Sequence, residues 1–350
     1  MTEPQASAPK AAARAHASRA TKALIIAPAW VGDMVMAHTL IRVLATQRAD
    51  LDLHVVAPPA TAPIGQRMAE ISKVYTADFS HGEFGWGTRR RLGHRLRDEG
   101  YNEAYVLPNT WKSALVPWFA KVPRRIGWHV TARFGLLNDG RRLDKTAYPL
   151  MIERFMALGD AAGALPDKPY PLPHLVVNEQ NRADVLARFG LVPQNVTALC
   201  PGAEFGAAKK WPHYADLARE RLARGEQVWL LGSPNDRDEC DKIADVAPGV
   251  VNLAGQTSLV DAIDLLSAAD MVVCNDSGLM HIACALDRPT VGIFGSTSPG
   301  FTPPLGAAAS VAEIELGCRP CFQRTCPLGH LDCLNKLTPA DVIARMPASA

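Results

Sequence analysis

Residues 271–281 read Met-Val-Val-Cys-Asn-Asp-Ser-Gly-Leu-Met-His, and this stretch decides the fold. The run over residues 270–275 is short and mostly apolar, as expected of a strand covered on both faces in a parallel sheet. Asp276-Ser277-Gly278 then breaks the run and opens a helix, and residues 290–294 supply the next apolar strand. Strand, tight loop, helix and strand make up the repeating unit of a doubly wound α/β domain.

The same unit recurs on both sides. Toward the N-terminus come a strand at 251–253, then a helix over 258–269 with Ser258 as its expected cap. Before these lie strands at 196–200 and 227–232 and helices at 211–224 and 236–246, the first with Pro212 just inside its start. In the first half, strands are expected at 22–28, 51–57 and 105–108, with helices at 34–46 and 88–98. Between the halves, Leu-Pro-Asp-Lys-Pro-Tyr-Pro-Leu-Pro occupies residues 165–173. Proline fixes φ and removes a donor, so four of them in eight residues favour an extended linker. A chain of 350 residues also exceeds what one core normally serves. The expected division is therefore a disordered tail at 1–21, an N-terminal domain at 22–165, a linker at 166–174, a C-terminal domain at 175–333, and a helix within 334–350 packing back on the N-terminal domain.

The first twenty residues are rich in Ala, Ser, Pro and Arg and lack the apolar run of a secretion signal. No apolar stretch approaches the ~20 residues of a membrane span, so a soluble, cytoplasmic protein is expected. The formal charge is only +2, but residues 84–145 hold 13 Lys and Arg against 5 Asp and Glu. That clustering fits an anionic partner, an anionic membrane surface or a solvated basic face. Cys200, Cys240, Cys274 and Cys284 sit among apolar residues and read as core fillers. Cys318, Cys321, Cys326 and Cys333, with His330 among them, crowd near the C-terminus. Their spacing suits a metal site, buried thiols or a labile disulfide, but the second Cys-x-x-Cys of a zinc ribbon is missing.

Open α/β sheets bind ligands at the carboxyl ends of their strands. Three loops there have unusual composition: Pro201-Gly202 through Lys209-Lys210-Trp211-Pro212, Gly232-Ser-Pro-Asn-Asp236, and Asn275 through His281. Glycines admit a phosphate close to the backbone, and lysine supplies a point charge for it. Asp276 and Ser277 fall where a helix N-terminus leaves free N–H groups, an anion site suited to a diphosphate. Each feature also has a plain reading, Asp276 or Ser277 as a helix cap and His281 as a packed core histidine. In the first half, Gly32-Asp33 follows the first strand, where Asp33 suits either a general base or a cap. Intact Gly-x-Gly-x-x-Gly and P-loop motifs are absent, and Gly295-Ser-Thr-Ser-Pro-Gly300 misses the Gly-x-Ser-x-Gly spacing by one residue.

In combination, Gly32-Asp33, Lys209-Lys-Trp-Pro212, Asn275-Asp-Ser-Gly-Leu-Met-His281, Arg288-Pro-Thr-Val-Gly-Ile-Phe-Gly-Ser-Thr297 and the terminal cysteines resemble the bacterial ADP-heptose:lipopolysaccharide heptosyltransferases. The match is nearest to the heptosyltransferase II branch and runs over nearly the whole chain after Thr21. The resemblance implies an α/β protein of GT-B type, two Rossmann-like domains facing across a cleft, with metal-independent inverting transfer and no cofactor. It implies Asp33 as the base and Lys209 as the group that stabilises the departing diphosphate. It implies Asp276, Ser277, Gly278 and His281 as donor contacts, with Thr257 near the adenine; Gly202 and Gly232 join them on the neighbouring loops. The family's small hydroxyl residue near the Gly-Asp pair is replaced here by Ala29-Trp30-Val31.

The expected partners are ADP-heptose, a lipid A–Kdo–heptose acceptor and the cytoplasmic surface of the inner membrane, with no nucleic acid. Arg90, Lys112, Arg124 and Arg125, with Arg89 and Arg91, become candidate contacts to the acceptor's anionic groups, and Trp86, Trp111, Trp118 and Trp128 candidate stacking or interfacial groups. The rival expectations are a transferase with another core acceptor, a nucleotide-sugar 2-epimerase, and a nucleotide-sugar-binding protein without turnover.

Overall fold

A computed structural model describes residues 21–78, 85–129 and 133–347. Apart from Thr21, the tail expected over 1–21 lies outside the described residues. The N-terminal half runs β1 (Thr21–Ile26), α1 (Val31–Gln47), β2 (Leu51–Ala57), α2 (Ala62–Gly65) and β3 (Ile71–Thr76). It continues with α3 (Trp86–Arg97), β4 (Glu103–Val106), α4 (Leu115–Phe119), β5 (Arg124–Trp128), β6 (Asp139–Arg141) and α5 (Met151–Met156). The C-terminal half opens with α6 (Glu179–Phe189), β7 (Val196–Cys200), α7 (Tyr214–Ala223), β8 (Gln227–Leu230), α8 (Arg237–Val246) and β9 (Val251–Asn252). Then follow α9 (Leu259–Leu266), β10 (Met271–Asn275), α10 (Gly278–Ala285), β11 (Thr290–Ile293), β12 (Ala309–Ala312), α11 (Asp332–Asn335) and α12 (Pro339–Ile343).

Each half builds one parallel six-stranded sheet, in orders β3-β2-β1-β4-β5-β6 and β9-β8-β7-β10-β11-β12. Both orders reverse direction next to the first strand of the domain, and the crevice beyond that switch point is where such sheets hold ligands. The strands at the centre, β1 and β10 among them, are the apolar runs legible in the sequence. β3, β6, β9 and β12 lie toward the edges and are less buried. β3, β5, β6 and β12 did not register as strands in the sequence.

The two domains share one apolar cluster. Met34, Leu40 and Leu44 of α1 join Phe155 of α5, and the same cluster continues through Met280, Ile282 and Ala283 of α10 and Ile263 and Leu266 of α9. A buried ion pair ties the halves together: Arg67 Nη2 lies 2.6 Å from Asp264 Oδ2. Asp264 also accepts from the Asn178 backbone N–H at 3.0 Å and from Asn181 Nδ2 at 2.7 Å. The chain just past the expected linker runs between them, Val176 N–H donating to the Arg67 carbonyl and Leu175 N–H to that of Ala285.

One expectation is corrected. Among the described residues, the C-terminal segment packs on the C-terminal domain and not back on the N-terminal one, because Leu334, Leu337 and Val342 are buried with Trp211, Tyr214 and Val228. Trp211 Nε1 donates to the Leu337 carbonyl at 2.7 Å, which fixes the segment there.

Removing one member of a buried, fully hydrogen-bonded ion pair strands its partner. Asp264→Ala is therefore expected to cost about 3–5 kcal/mol in denaturant unfolding. A loss under about 1 kcal/mol would show that the Arg67 guanidinium reaches water when the pair is broken.

Candidate active site

The site forms where the switch points of the two sheets face each other. α1 begins directly after β1 and α10 directly after β10, and their first turns touch. A Cβ on Gly278 would stand 2.5 Å from Val31 Cγ1, and one on Gly32 would stand 2.8 Å from His281 Cδ2. Any side chain at either position therefore pushes the helix ends apart.

Asn275 ends β10 wholly buried. Its Oδ1 accepts from the Trp211 N–H and the Tyr214 hydroxyl, each at 3.2 Å, and its Nδ2 donates to the Pro201 carbonyl at 2.6 Å. These bonds pin the loop after β7 to the loop after β10, and so place Lys209 beside Asp276. Lys209 Nζ lies 2.6 Å from Asp276 Oδ2 and donates to the Asp276 carbonyl at 3.1 Å. Thr297, past β11, donates its hydroxyl to the same Oδ2 at 2.6 Å. Lys209 also stands 4.9 Å over the Phe205 ring.

Ser277 occupies the N-cap position of α10 but makes no side-chain capping bond. The cap reading of this turn thus fails for Ser277, and the N-terminal N–H groups remain an electropositive end for an anion. Asp33 lies in the first turn of α1, facing this cluster. Burial raises its carboxyl to about 6; Lys209 pulls it down and Asp276 pushes it up. His281 is pushed down to about 4 by burial, opposed by Asp276 and reinforced by Lys209, and its Nδ1 has no hydrogen-bond partner. It is a neutral imidazole at pH 7. The arrangement sets a lysine and a helix N-terminus on one domain against a carboxylate of raised pKa on the other.

The remaining sequence candidates divide. The expectation that Gly202 and Gly232 let a phosphate approach meets a different packing: a Cβ on Gly202 would lie 2.4 Å from the Asp236 carboxyl, and one on Gly232 2.9 Å from Asp236 Cβ. Asp236 needs that room because it accepts from Ser233 N–H at 2.9 Å and Ser233 Oγ at 2.7 Å. Thr257 sits just before the Ser258 cap of α9 and donates to the Leu253 carbonyl at 3.4 Å. Lys112 lies in the turn after β4, on the carboxyl side of the sheet. Arg90 is exposed on α3.

Arg124 and Arg125 are placed away from the cleft, contrary to expectation. They start β5, whose amino end is the edge of the parallel sheet opposite the site. Arg124 pairs with Asp139 at 2.8 Å, and Arg125 donates to the carbonyls of Leu136 and Val122 at 2.7 Å. Thr297 and Asn275 join the site in roles that their motifs do not reveal. Their signal was position, each lying at or just past the carboxyl end of a strand.

Cys318, Cys321, Cys326 and Cys333 line one cavity of about 20 Å³ together with His330 and Ser296. Among the described residues no group of three or more His, Cys, Asp or Glu is arranged to hold a metal ion. The loop carrying them is laced to the site: Ala208 N–H donates to the Arg324 carbonyl, Ser296 N–H to Ala208 and Phe322 N–H to Ser296.

Residues 89–332 match glycosyltransferase family 9 (heptosyltransferase). The chain belongs to this family. It is 42% identical over 338 residues to lipopolysaccharide heptosyltransferase 2 of Salmonella typhimurium, covering 93% of this chain and 97% of that protein. Lipooligosaccharide heptosyltransferase 2 of Haemophilus influenzae is 42% identical over 309 residues, 84% of this chain and 89% of its own. The solved ADP-heptose lps heptosyltransferase II of E. coli superposes with a TM-score of 0.78 at 41% identity, over 91% of this chain and 98% of that one. As a family 9 member the chain is a glycosyltransferase of GT-B architecture, and the helix ends brought together by Gly32 and Gly278 lie between its two domains.

The raised Asp33 carboxyl has a thermodynamic consequence. Its folded-state value of about 6 lies above the ordinary 3.8, so folding favours the protonated form. The stabilisation is fully present below pH 3.8 and is lost as pH rises through 6, a change of about 3 kcal/mol for two pKa units. Asp33→Asn should flatten the stability–pH curve across that window in urea unfolding series. An unchanged slope would place the Asp33 carboxylate in water.

Proposed function

We propose that this glycosyltransferase moves L-glycero-D-manno-heptose from ADP-heptose onto the first heptose of the lipopolysaccharide inner core, with inversion at the anomeric carbon. The observation that carries the reading is the pairing of Lys209 and the open N-terminus of α10 with Asp33 across the cleft. The chemistry demands that division. The acceptor oxygen forms a bond to the anomeric carbon while the bond from that carbon to the diphosphate oxygen breaks, its electron pair leaving with ADP. The acceptor's proton goes to Asp33.

A carboxylate with a pKa near 6 is ionised at pH 7 yet basic enough to take that proton as the new bond forms. Lys209, with the N–H groups at Ser277 and Gly278, meets the charge that develops on the diphosphate, a fixed electrostatic stabilisation requiring no movement during reaction. Asp276, oriented by Lys209 and Thr297, holds sugar hydroxyls. His281, uncharged and with Nδ1 unspent, offers a hydrogen bond without adding charge. Thr257 and the loops at Gly202 and Gly232 border the adenosine side, and Lys112 meets acidic groups of the acceptor. The similarity to lipopolysaccharide and lipooligosaccharide heptosyltransferase 2, and to the solved ADP-heptose lps heptosyltransferase II, supports this donor and acceptor. The working location is the cytoplasmic surface of the inner membrane.

Purified protein is to be given ADP-heptose with deacylated core acceptors bearing no, one or two heptoses, and the products weighed by mass spectrometry. Transfer to the one-heptose acceptor alone is expected. Asp33→Asn should lower kcat by about 10²–10⁴ while the donor Kd, read by calorimetry, stays unchanged. Lys209→Ala should lower kcat by about 10²–10³. A fully active Asp33→Asn enzyme would remove the base from this mechanism.

A further inference from the structure

We propose that the outer face of α3 and α4 is the surface on which the protein rests on an anionic lipid bilayer. The inference rests on the reading above, in which the acceptor is anchored in lipid. α3 reads Trp-Gly-Thr-Arg-Arg-Arg-Leu-Gly-His-Arg-Leu-Arg and contains no acidic residue. Leu92, Gly93 and Leu96 turn inward. Trp86, Arg90, Arg91, His94, Arg95 and Arg97 are exposed. The two helices are pressed together at Gly93, where a Cβ would lie 2.4 Å from Phe119 Cβ and 2.8 Å from the Val116 carbonyl oxygen. The Phe119 ring becomes a hub, with Trp86 at 5.0 Å, Trp118 at 4.9 Å and His94 at 6.1 Å between centroids.

This packing makes one continuous face from two elements. Trp86 and Trp118 remain 45% and 42% exposed on it, and Trp111, in the turn after β4, is 45% exposed. Solvent exposure of large indole rings beside arginines is a poor arrangement for water alone. It matches the boundary between lipid headgroups and acyl chains, where tryptophan prefers to sit and basic side chains meet anionic phosphates. The complementarity of charge selects a bilayer with acidic lipids over a neutral one. The position is also consistent with use. The start of α3 follows β3 and Trp111-Lys112 follows β4, so the face borders the carboxyl edge of the sheet that carries Asp33. Contact there would bring a lipid-anchored sugar to the cleft without drawing the lipid out of the membrane.

The test is co-sedimentation with vesicles of pure phosphatidylcholine and of phosphatidylcholine with one-quarter phosphatidylglycerol. The unaltered protein is expected on the second and not the first, with release at high salt. The double variant Arg91→Glu/Arg95→Glu should lose at least tenfold in partition, and Trp118→Ala should weaken it further. Reversing two exposed charges elsewhere, Arg219→Glu/Lys242→Glu, should have no effect. Turnover of the deacylated acceptor by Arg95→Glu alone should match the unaltered protein, and an unchanged melting temperature shows that the double variant folds. Equal binding to both vesicle types, undiminished binding by the double variant, or self-association relieved by it in place of vesicle binding would each overturn the proposal. Vesicle binding as expected with no transfer to any deacylated acceptor would instead sink the heptosyl-transfer reading and leave this one standing.

Discussion

The arrangement of the site depends on two helix ends meeting at a distance that only glycine permits. Gly32 and Gly278 face side chains of the opposite domain at separations no Cβ tolerates, Val31 on one side and His281 on the other. Both helix N-termini carry partial positive charge, so bringing them together is electrostatically unfavourable unless negative groups share the space. Asp33 in the first turn of α1 and Asp276 immediately before α10 supply that charge. The close approach thus sets both the shape of the cleft and the need for carboxylates within it.

Burial then acts oppositely on the titratable groups held there. It drives Asp33 toward its neutral form and His281 toward its neutral form, so an acid is raised and a base is lowered by the same exclusion of water. Lys209 is bonded to Asp276, which is in turn held by Thr297. A buried pair of this kind adds little net stability, since desolvation of both partners offsets their attraction. Its value lies in geometry. The ammonium group is fixed beside the N-terminus of α10 before any ligand arrives.

Much of this was legible in the sequence, for identifiable reasons. Central parallel strands are covered on both faces, so β1, β7, β8 and β10 appear as short, mostly apolar runs, and β2 as an apolar stretch broken only by Asp52 and His54. The loops at their carboxyl ends stand out because glycine, lysine and acidic residues are concentrated there. Edge strands carry no such signal: β3 alternates imperfectly and β6 is three polar residues, Asp-Gly-Arg. β5 was missed because Arg124-Arg125 at its start read as a basic patch, when pairing with Glu103 and Asp139 makes it part of the sheet's far edge. The fate of the C-terminal helix was not legible either, because an amphipathic segment matches any apolar groove. Only the hydrogen bond from Trp211 to Leu337 and the company of Leu334 and Val342 decide its domain.

Glycines at strand ends were read as phosphate cradles, and the structure separates two uses that sequence cannot. At Gly278 the missing side chain admits the other domain, and at Gly202 and Gly232 it admits the Asp236 carboxyl, which caps its own loop at Ser233. The two uses are still mechanically linked. Asp236 stiffens the loop after β8, Asn275 staples the loops after β7 and β10, and the cysteine-bearing segment braces the Lys209 turn from the opposite side. Three strand-end loops are therefore held by groups that themselves need not touch a ligand. Electrostatic stabilisation of a leaving diphosphate works only if the donors do not relax when the charge shifts. On that argument the residues around Lys209 matter to catalysis through rigidity, and the charge they hold in place is what the chemistry uses.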